Sequence, residues 1–377
     1  MPVSDVLKVG IVGAAGRGAS YFAPFLANPR THLEALCDIN DERLQKTAAR
    51  VGVQKLYNDY AEMLEQAGVD AVVIGTPMPL HAPQAIAALK LGIHVLSEVP
   101  AAVSIEEARE LTLAAARSSA SYMMAENYCY FRENVLVGRI VEAGLFGDLY
   151  YGEGEYIHEL KGLNEITRWR RRWQTGINGC TYPTHSLGPV YQWMKERVVS
   201  VCCVGSGHHY RDPRGDLYEQ EDSIKMLCRM EKGGLVEVRL DMLSNRPHNP
   251  AYYSLQGTDG CYESSRGTGG HPVIWLASRS SGFEWTPLSE FEQEFLPEEW
   301  LNPPKEALEA GHAGGDYWVV EDFVRSILDG HKPPIGIHEA MDMTLPGLVS
   351  QQSIQQGSCW LPVPDSREWV SQAGMID

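Results

Sequence analysis

Three glycines and one acid are the first residues whose types and spacing point to chemistry. Gly13, Gly16 and Gly18 fall within Gly13-Ala14-Ala15-Gly16-Arg17-Gly18, and Asp38 lies 20 positions beyond Gly18. A pyrophosphate is held where unpaired backbone N–H groups and the positive end of a helix dipole meet its charge. In such a turn the first glycine makes the bend, the second lets the phosphates approach and the third lets helix and strand pack. Here the second position is Ala15, and Gly16 can take up part of its role. The Asp38 carboxylate can accept hydrogen bonds from a ribose 2′-OH and would repel a 2′-phosphate, so NAD is expected over NADP. The cofactor ligands expected in this stretch are Gly13, Ala15, Gly16, Arg17, Gly18 and Asp38.

These residues need a strand before them, a helix after them and a second strand ending at the acid. LKVGIVG is an apolar run of strand type. From Arg17 the pattern turns helical, with Tyr21, Phe22, Phe25 and Leu26 on it, until Asn28 and Pro29 stop it; HLEALCD supplies the second strand. A helix over Asp41 to Val51, the run DAVVIG, a helix over Leu80 to Leu91, the run HVLSE, a helix over Ser104 to Ala116 and the run SYMMAE continue the alternation. This is the signature of a doubly wound parallel sheet of Rossmann type, assigned to residues 1–126. Ligands bind beyond the carboxyl ends of such strands. That rule places Thr76, Pro77 and His81 beside the nicotinamide ribose and adds Glu98 and Asn127 to the cofactor set. Each also has a plain reading: Thr76-Pro77 as a helix start, His81 as a surface histidine.

Past a helix over Arg132 to Ala143 the character of the chain changes. DLYYGEGEYIHEL, ERVVSVCCVGSGHHY, DSIKMLCRM, GGLVEVRLDML and AYYSLQGTDGCYES are strand-like and follow one another without the helices that parallel pairing requires. Residues 127–377 are therefore expected to form an α+β domain on a mostly antiparallel, open sheet. Its free face suits self-association, as a homodimer or homotetramer. The stretch from Arg266 to Pro304 reads as irregular. Helices are expected over Asp316 to Leu328 and over Ile337 to Gln356, the latter returning toward the first domain.

Composition excludes several classes. A chain of 377 residues with 44% hydrophobic content is globular and long enough for two domains. A formal charge of −17 argues against nucleic-acid or acidic-membrane partners, which need a basic face. There is no apolar run near 18 residues for a membrane span, and the first strand begins too close to Met1 for a signal peptide, so a cytoplasmic enzyme is expected. The eight cysteines are scattered without C-x-x-C pairs or zinc-spaced histidines; they are expected as buried free thiols, and no metal is expected. His208 and His209 read as surface residues.

The opening turn, TPMPLHAPQAIAALKLGIHVLSEVP, NVLVGRIVEAGLFGDLYY and DFVRSILDGHKPPIGIHEAMD together resemble the Gfo/Idh/MocA oxidoreductases over essentially the whole chain. The resemblance implies a Rossmann domain, an α/β substrate domain, NAD or NADP, and a sugar or cyclitol substrate. Two departures narrow it. Where that family carries Glu-Lys-Pro, with a lysine thought to transfer protons, this chain has Glu98-Val99-Pro100; and no alignment of Gly179 to Pro189 restores the family's Asp-x-x-x-His pair, His185 fitting either position. Both departures, with EVPAA, AENYCYFRENVL, YIHEL, WRRRW and YPTH followed by LGPV, are similar to the NAD-dependent glycosidases of glycoside hydrolase family 109.

That branch is thought to oxidise the sugar C3 hydroxyl with tightly held NAD, eliminate the C1 substituent, add water and return the hydride. By this resemblance Tyr182 and His185 are the acid/base pair and Arg170 binds substrate; His158 is the member of YIHEL chosen to look into the cleft, since Glu159 lies on the opposite face. Histidine titrates near neutrality and tyrosine can relay a proton, and a spacing of three shares a helix face. Pro183 favours a turn there instead, and a packed tyrosine and buried histidine are the plain alternative. Two other functions stand beside redox-assisted cleavage: an ordinary NAD(P)-dependent sugar or cyclitol dehydrogenase with His185 as base, and a dinucleotide-binding regulator without catalysis.

Overall fold

The computed structural model describes residues 6–247, 251–267 and 269–374. The chain forms two compact units, one of residues 1–130, 304–341 and 365–377, the other of residues 131–303 and 342–364. The first unit thus takes in two C-terminal segments that a single cut at residue 126 assigns to the second domain.

The first unit is built on a parallel sheet of six strands, β1 (Leu7–Val12), β2 (Thr31–Cys37), β3 (Lys55–Tyr57), β4 (Ala71–Ile74), β5 (His94–Ser97) and β6 (Tyr122–Met124), in the order β3-β2-β1-β4-β5-β6. Every residue of β4 is buried, as expected of a strand covered on both faces. Helices flank the sheet where local signals ask for them. Asn40 caps Asp41–Val51 by accepting from the Arg43 N–H, with Gly52 in left-handed conformation at the far end; Ser104 accepts from the Glu107 N–H at the start of Ile105–Arg117. β3 and the helix Tyr60–Gln66 were not expected: one is three residues long and the other only seven. The segment after the glycine turn is helical in two pieces, a 3-10 turn over Arg17–Tyr21 running into Phe22–Ala27.

The second unit holds nine strands: β7 (Leu149–Ile157), β8 (Val198–Gly205), β9 (Ile224–Met230), β10 (Leu235–Asp241), β11 (Ala251–Gly257), β12 (Gly260–Glu263), β13 (Val273–Leu276), β14 (Thr286–Pro287) and β15 (Leu361–Pro362). Their order is β14-β13-β12-β11-β7-β10-β9-β8-β15, with β7 and β10 parallel and every other pair antiparallel. The stretch from Arg266 to Pro304, expected to be irregular, supplies β13, β14 and short helical turns. The helix Ile337–Gln355 ends within the second unit, and it is the following helix, Ser366–Gln372, that belongs to the first. Among the described residues no helix is long and apolar enough to cross a membrane.

Candidate functional site

In the first unit the glycine turn is held from below by close backbone contact. Gly13 has φ +75°, and a Cβ on it would lie 2.4 Å from the Gly75 carbonyl oxygen; on Gly18 a Cβ would lie 2.9 Å from that of Gly13. Gly16 differs, because a Cβ there would meet nothing nearer than the Gly13 oxygen at 3.6 Å. The backbone face at Gly16 is therefore uncrowded, which leaves room for a pyrophosphate to approach. Ala15 donates its N–H to Asp38 Oδ2 at 2.9 Å and Asn40 donates to Oδ1 at 2.9 Å. A carboxylate has about four acceptor positions, so two remain for ribose hydroxyls.

Arg17 turns away from the glycines. Its Nε donates to Glu98 Oε1 at 2.7 Å, and its Nη atoms donate to both oxygens of Asp316 at 2.9 and 2.8 Å. Burial opposes its charge, but Glu98, Tyr21 and Asp316 outweigh burial and raise the guanidinium's pKa. Burial likewise works against the Asp316 carboxylate, yet hydrogen bonds from His312 and Arg17 hold it below the usual carboxylate range. Tyr21 donates its hydroxyl to Glu98. Glu98 is thus committed to Arg17 and Tyr21, while Val99 beside it is buried.

His81 is neither a surface residue nor open to a ligand through its ring nitrogens. It is 2% exposed, with Nδ1 2.9 Å from the Pro100 carbonyl oxygen and Nε2 2.8 Å from that of Thr76. It therefore staples the loop after β4 to the loop after β5, a role that its residue type alone did not reveal. The Thr76 hydroxyl donates to Gln84 Oε1 at 2.6 Å instead of capping a helix, and Pro77 precedes a 3-10 turn. Asn127, buried at the start of the 3-10 turn Asn127–Tyr130 that follows β6, donates its amide N–H2 to Asp316 at 2.9 Å.

In the second unit the residues Gly152, Gly154, Tyr156 and His158 alternate along one face of β7 and its extension, where His158 still donates its N–H to the Asp241 carbonyl. The helix Thr184–Met194 lies on the glycines so closely that a Cβ on Gly154 would fall 1.8 Å from the Ser186 carbonyl oxygen. This seats the start of the helix beside Tyr156. Pro183 does not prevent the helix but stands as its cap, leaving Tyr182 just outside and His185 in the first turn. Four rings meet there. Tyr156 lies 5.0 Å from His185, 5.7 Å from Tyr182 and 5.8 Å from His158 between ring centroids, and Tyr182 meets His185 edge-on at 5.1 Å. The Tyr156 hydroxyl is 2.9 Å from His158 Nδ1.

Tyr156 was not singled out from sequence, although its place two residues before His158 carried the signal. Arg170 makes local bonds, donating to Thr167 Oγ1 at 3.0 Å and Gln174 Oε1 at 2.8 Å while stacking on Trp169. Arg171 is held by Asp212 and Glu219. His208 and His209 are exposed, as expected, and His209 pairs with Asp222 at 2.6 Å.

A proline shapes the hydrogen bonding of the His185 main chain. Pro189, four residues on, has no N–H to give to the His185 carbonyl, and the Tyr253 hydroxyl supplies the missing hydrogen bond at 2.5 Å. Tyr253→Phe would take that donor away from the buried carbonyl. The expected cost is about 1–3 kcal/mol of stability, read from denaturant unfolding, with a fall in turnover out of proportion to any change in cofactor affinity.

Residues 7–126 match the oxidoreductase family with an NAD-binding Rossmann fold, which fixes the class as a nicotinamide-dependent oxidoreductase. Residues 130–370 match the C-terminal domain of glycosyl hydrolase 109, and the chain belongs to that family and is an NAD-dependent enzyme. A glycosyl hydrolase family 109 protein of Streptomyces filamentosus is 31% identical over 99% of this chain and 80% of its own length. An alpha-N-acetylgalactosaminidase of Shewanella oneidensis is 30% identical over 97% of this chain and 86% of its own. Among solved structures, levoglucosan dehydrogenase in complex with NADH shares the fold, with a TM-score of 0.79 and 21% identity over 95% of this chain and 99% of that one.

Asp38 gives a direct test of cofactor choice. Asp38→Ala is expected to lose discrimination against NADP+, because nothing then repels a 2′-phosphate, and to weaken NAD+ by about 1.5–3 kcal/mol through lost charge-assisted bonds. Titration of both nucleotides against wild type and variant checks it; an unchanged preference would assign the ribose to another group.

Proposed function

We propose that this enzyme cleaves a glycoside by transient oxidation at the sugar C3, with Tyr182 and His185 as its acid/base pair. What carries the reading is the assembly of Tyr156, His158, Tyr182 and His185 into one cluster, together with Val99, which cannot move a proton, at the position of the related dehydrogenases' lysine. Gly13, Ala15, Gly16, Gly18, Asp38, the Thr76-Pro77 loop and Asn127 would hold the dinucleotide, with Arg17, Glu98 and His81 bracing that site. Bound NAD+ supplies an acceptor for the C3 hydride and a store from which it is returned.

The protein's own groups then handle protons. A ketone at C3 acidifies the C2 proton, which His185 or Tyr182 can take as general base. The electron pair released at C2 forms the C1–C2 double bond as the C1–O bond breaks, and a proton from the same pair goes to the leaving oxygen. Water adds at C1 and C2 regains a proton. The C3 carbonyl takes back the hydride together with the hydroxyl proton that the same acid/base pair received when C3 was oxidised, so that the net reaction is hydrolysis. His158, held against Tyr156, and Arg170, on its short helix, are assigned to substrate hydroxyls. The name of the Shewanella oneidensis relative makes an α-linked N-acetylgalactosaminide the first glycoside to test.

The deciding experiment is turnover in D2O. Deuterium should enter C2 of the released sugar without net NADH. Cleavage without C2 deuterium would remove the C3 route, and NADH accumulating in step with a free sugar would make the enzyme a simple dehydrogenase.

A further inference from the structure

The segment Gly311-His312-Ala313-Gly314-Gly315-Asp316 belongs to the first unit, yet lies far along the chain from the glycine turn. His312, Ala313 and Gly314 take φ of +54°, +52° and +91° in succession. Left-handed backbone at residues with side chains is disfavoured and persists where the surroundings over-determine it. Here the bend delivers Asp316, which is fully buried and whose carboxylate accepts four hydrogen bonds. Arg17 gives two, Asn127 Nδ2 one at 2.9 Å and His312 Nδ1 one at 3.1 Å. Gly315 lets the segment approach so closely that a Cβ there would lie 2.6 Å from the Asn127 carbonyl oxygen.

An asparagine amide can offer either its N–H2 or its oxygen after a half-turn. A carboxylate can only accept, so Asp316 takes the N–H2 of Asn127 and fixes Oδ1 as the atom left over. That Oδ1 is buried without a hydrogen-bond partner among the described residues. A buried amide oxygen lacking a donor is costly and rare, which points to a donor that arrives with a ligand. Glu98 and Asn127 follow the ends of neighbouring strands β5 and β6, and Arg17 ties Asp316 to Glu98.

We propose that Asp316 is a positioning residue for the dinucleotide, acting through Asn127, whose Oδ1 receives the carboxamide N–H2 of the nicotinamide. The proposal rests on Asn127 lying at the nicotinamide end, as assigned above, and is independent of what is done to the sugar. ADP-ribose, which lacks the nicotinamide, separates it from a general effect on the pocket.

Full-length protein freed of nucleotide is titrated with NAD+ and with ADP-ribose by calorimetry. Asn127→Ala and Asp316→Ala should each weaken NAD+ about tenfold more than ADP-ribose, and the double variant should shift the ratio no further, because both remove one interaction. Equal losses for the two ligands would make Asp316 a merely structural support, and additive shifts in the double variant would break the link to Asn127; either overturns the proposal, as does an unchanged ratio in Asn127→Ala. Asp316→Ala strips Arg17 of one of its carboxylates; if it does not fold, Asp316→Thr, which refills part of the volume without a carboxylate, takes its place under the same criteria. These binding ratios would stand even if the C2 exchange experiment failed.

Discussion

His185→Ala is expected to lower glycoside turnover by about 10²–10⁴-fold, the range over which a positioned proton-transfer group acts, while NAD+ remains bound. The two readouts separate because His185 sits in the second unit's ring cluster, whereas the glycine turn and Asp38 belong to the first. The substitution also empties space beside Tyr156 and Tyr182. His185→Asn controls for that, since it keeps part of the volume and hydrogen-bonding capacity but cannot serve as a base. Both variants should lose C2 deuterium incorporation together with cleavage. Full activity in either would remove His185 from the chemistry and leave it as packing for Tyr156 and Tyr182. Tyr182→Phe preserves the edge-on contact with His185 while removing the hydroxyl, so a loss there reports on proton relay and not on shape.

The parts of this molecule legible in the sequence are those written in local pattern. The glycine turn, the alternating strands and helices of the first unit and the acid after β2 all follow from spacing within about thirty residues, and the six-stranded parallel sheet realises them. β3 escaped because three residues carry too little periodicity. The ring cluster was half legible. Tyr182 and His185 were visible as types, but their meeting depends on where Pro183 lets the helix begin, and Tyr156 joins them only once the face of β7 is known. His81 and Arg17 show the limit more sharply. The partners of His81 are main-chain carbonyls, which no side-chain pattern announces. Arg17 is claimed by Asp316, 299 positions away. A charged residue in a cofactor turn looks like a phosphate ligand until the fold brings a buried carboxylate to it.

The same dependence on the fold governs Gly154, whose replacement by alanine is expected to be the most disruptive single methyl in the second unit. The added Cβ would fall 1.8 Å from the Ser186 carbonyl oxygen and 2.7 Å from its carbon. Neither can yield by changing a rotamer, because both are backbone atoms of a helix buried along nearly its whole length. Either the helix Thr184–Met194 lifts off β7 or the strand bows away. Both movements separate His185 from Tyr156 and pull the His185 carbonyl from Tyr253. Overpacking in well-packed cores costs about 1–3 kcal/mol and more where backbone must shift, so Gly154→Ala should sit at or above the top of that range in denaturant unfolding. Activity should fall further than stability, since proton transfer fails once its groups are displaced by about an ångström. Gly152→Ala is the matched control. Its Cβ would meet a Val190 methyl at 2.6 Å, a side-chain atom that can move. The smaller loss belongs to that variant, and equal losses at the two positions would show that helix and strand do not need their close backbone contact to hold the rings together.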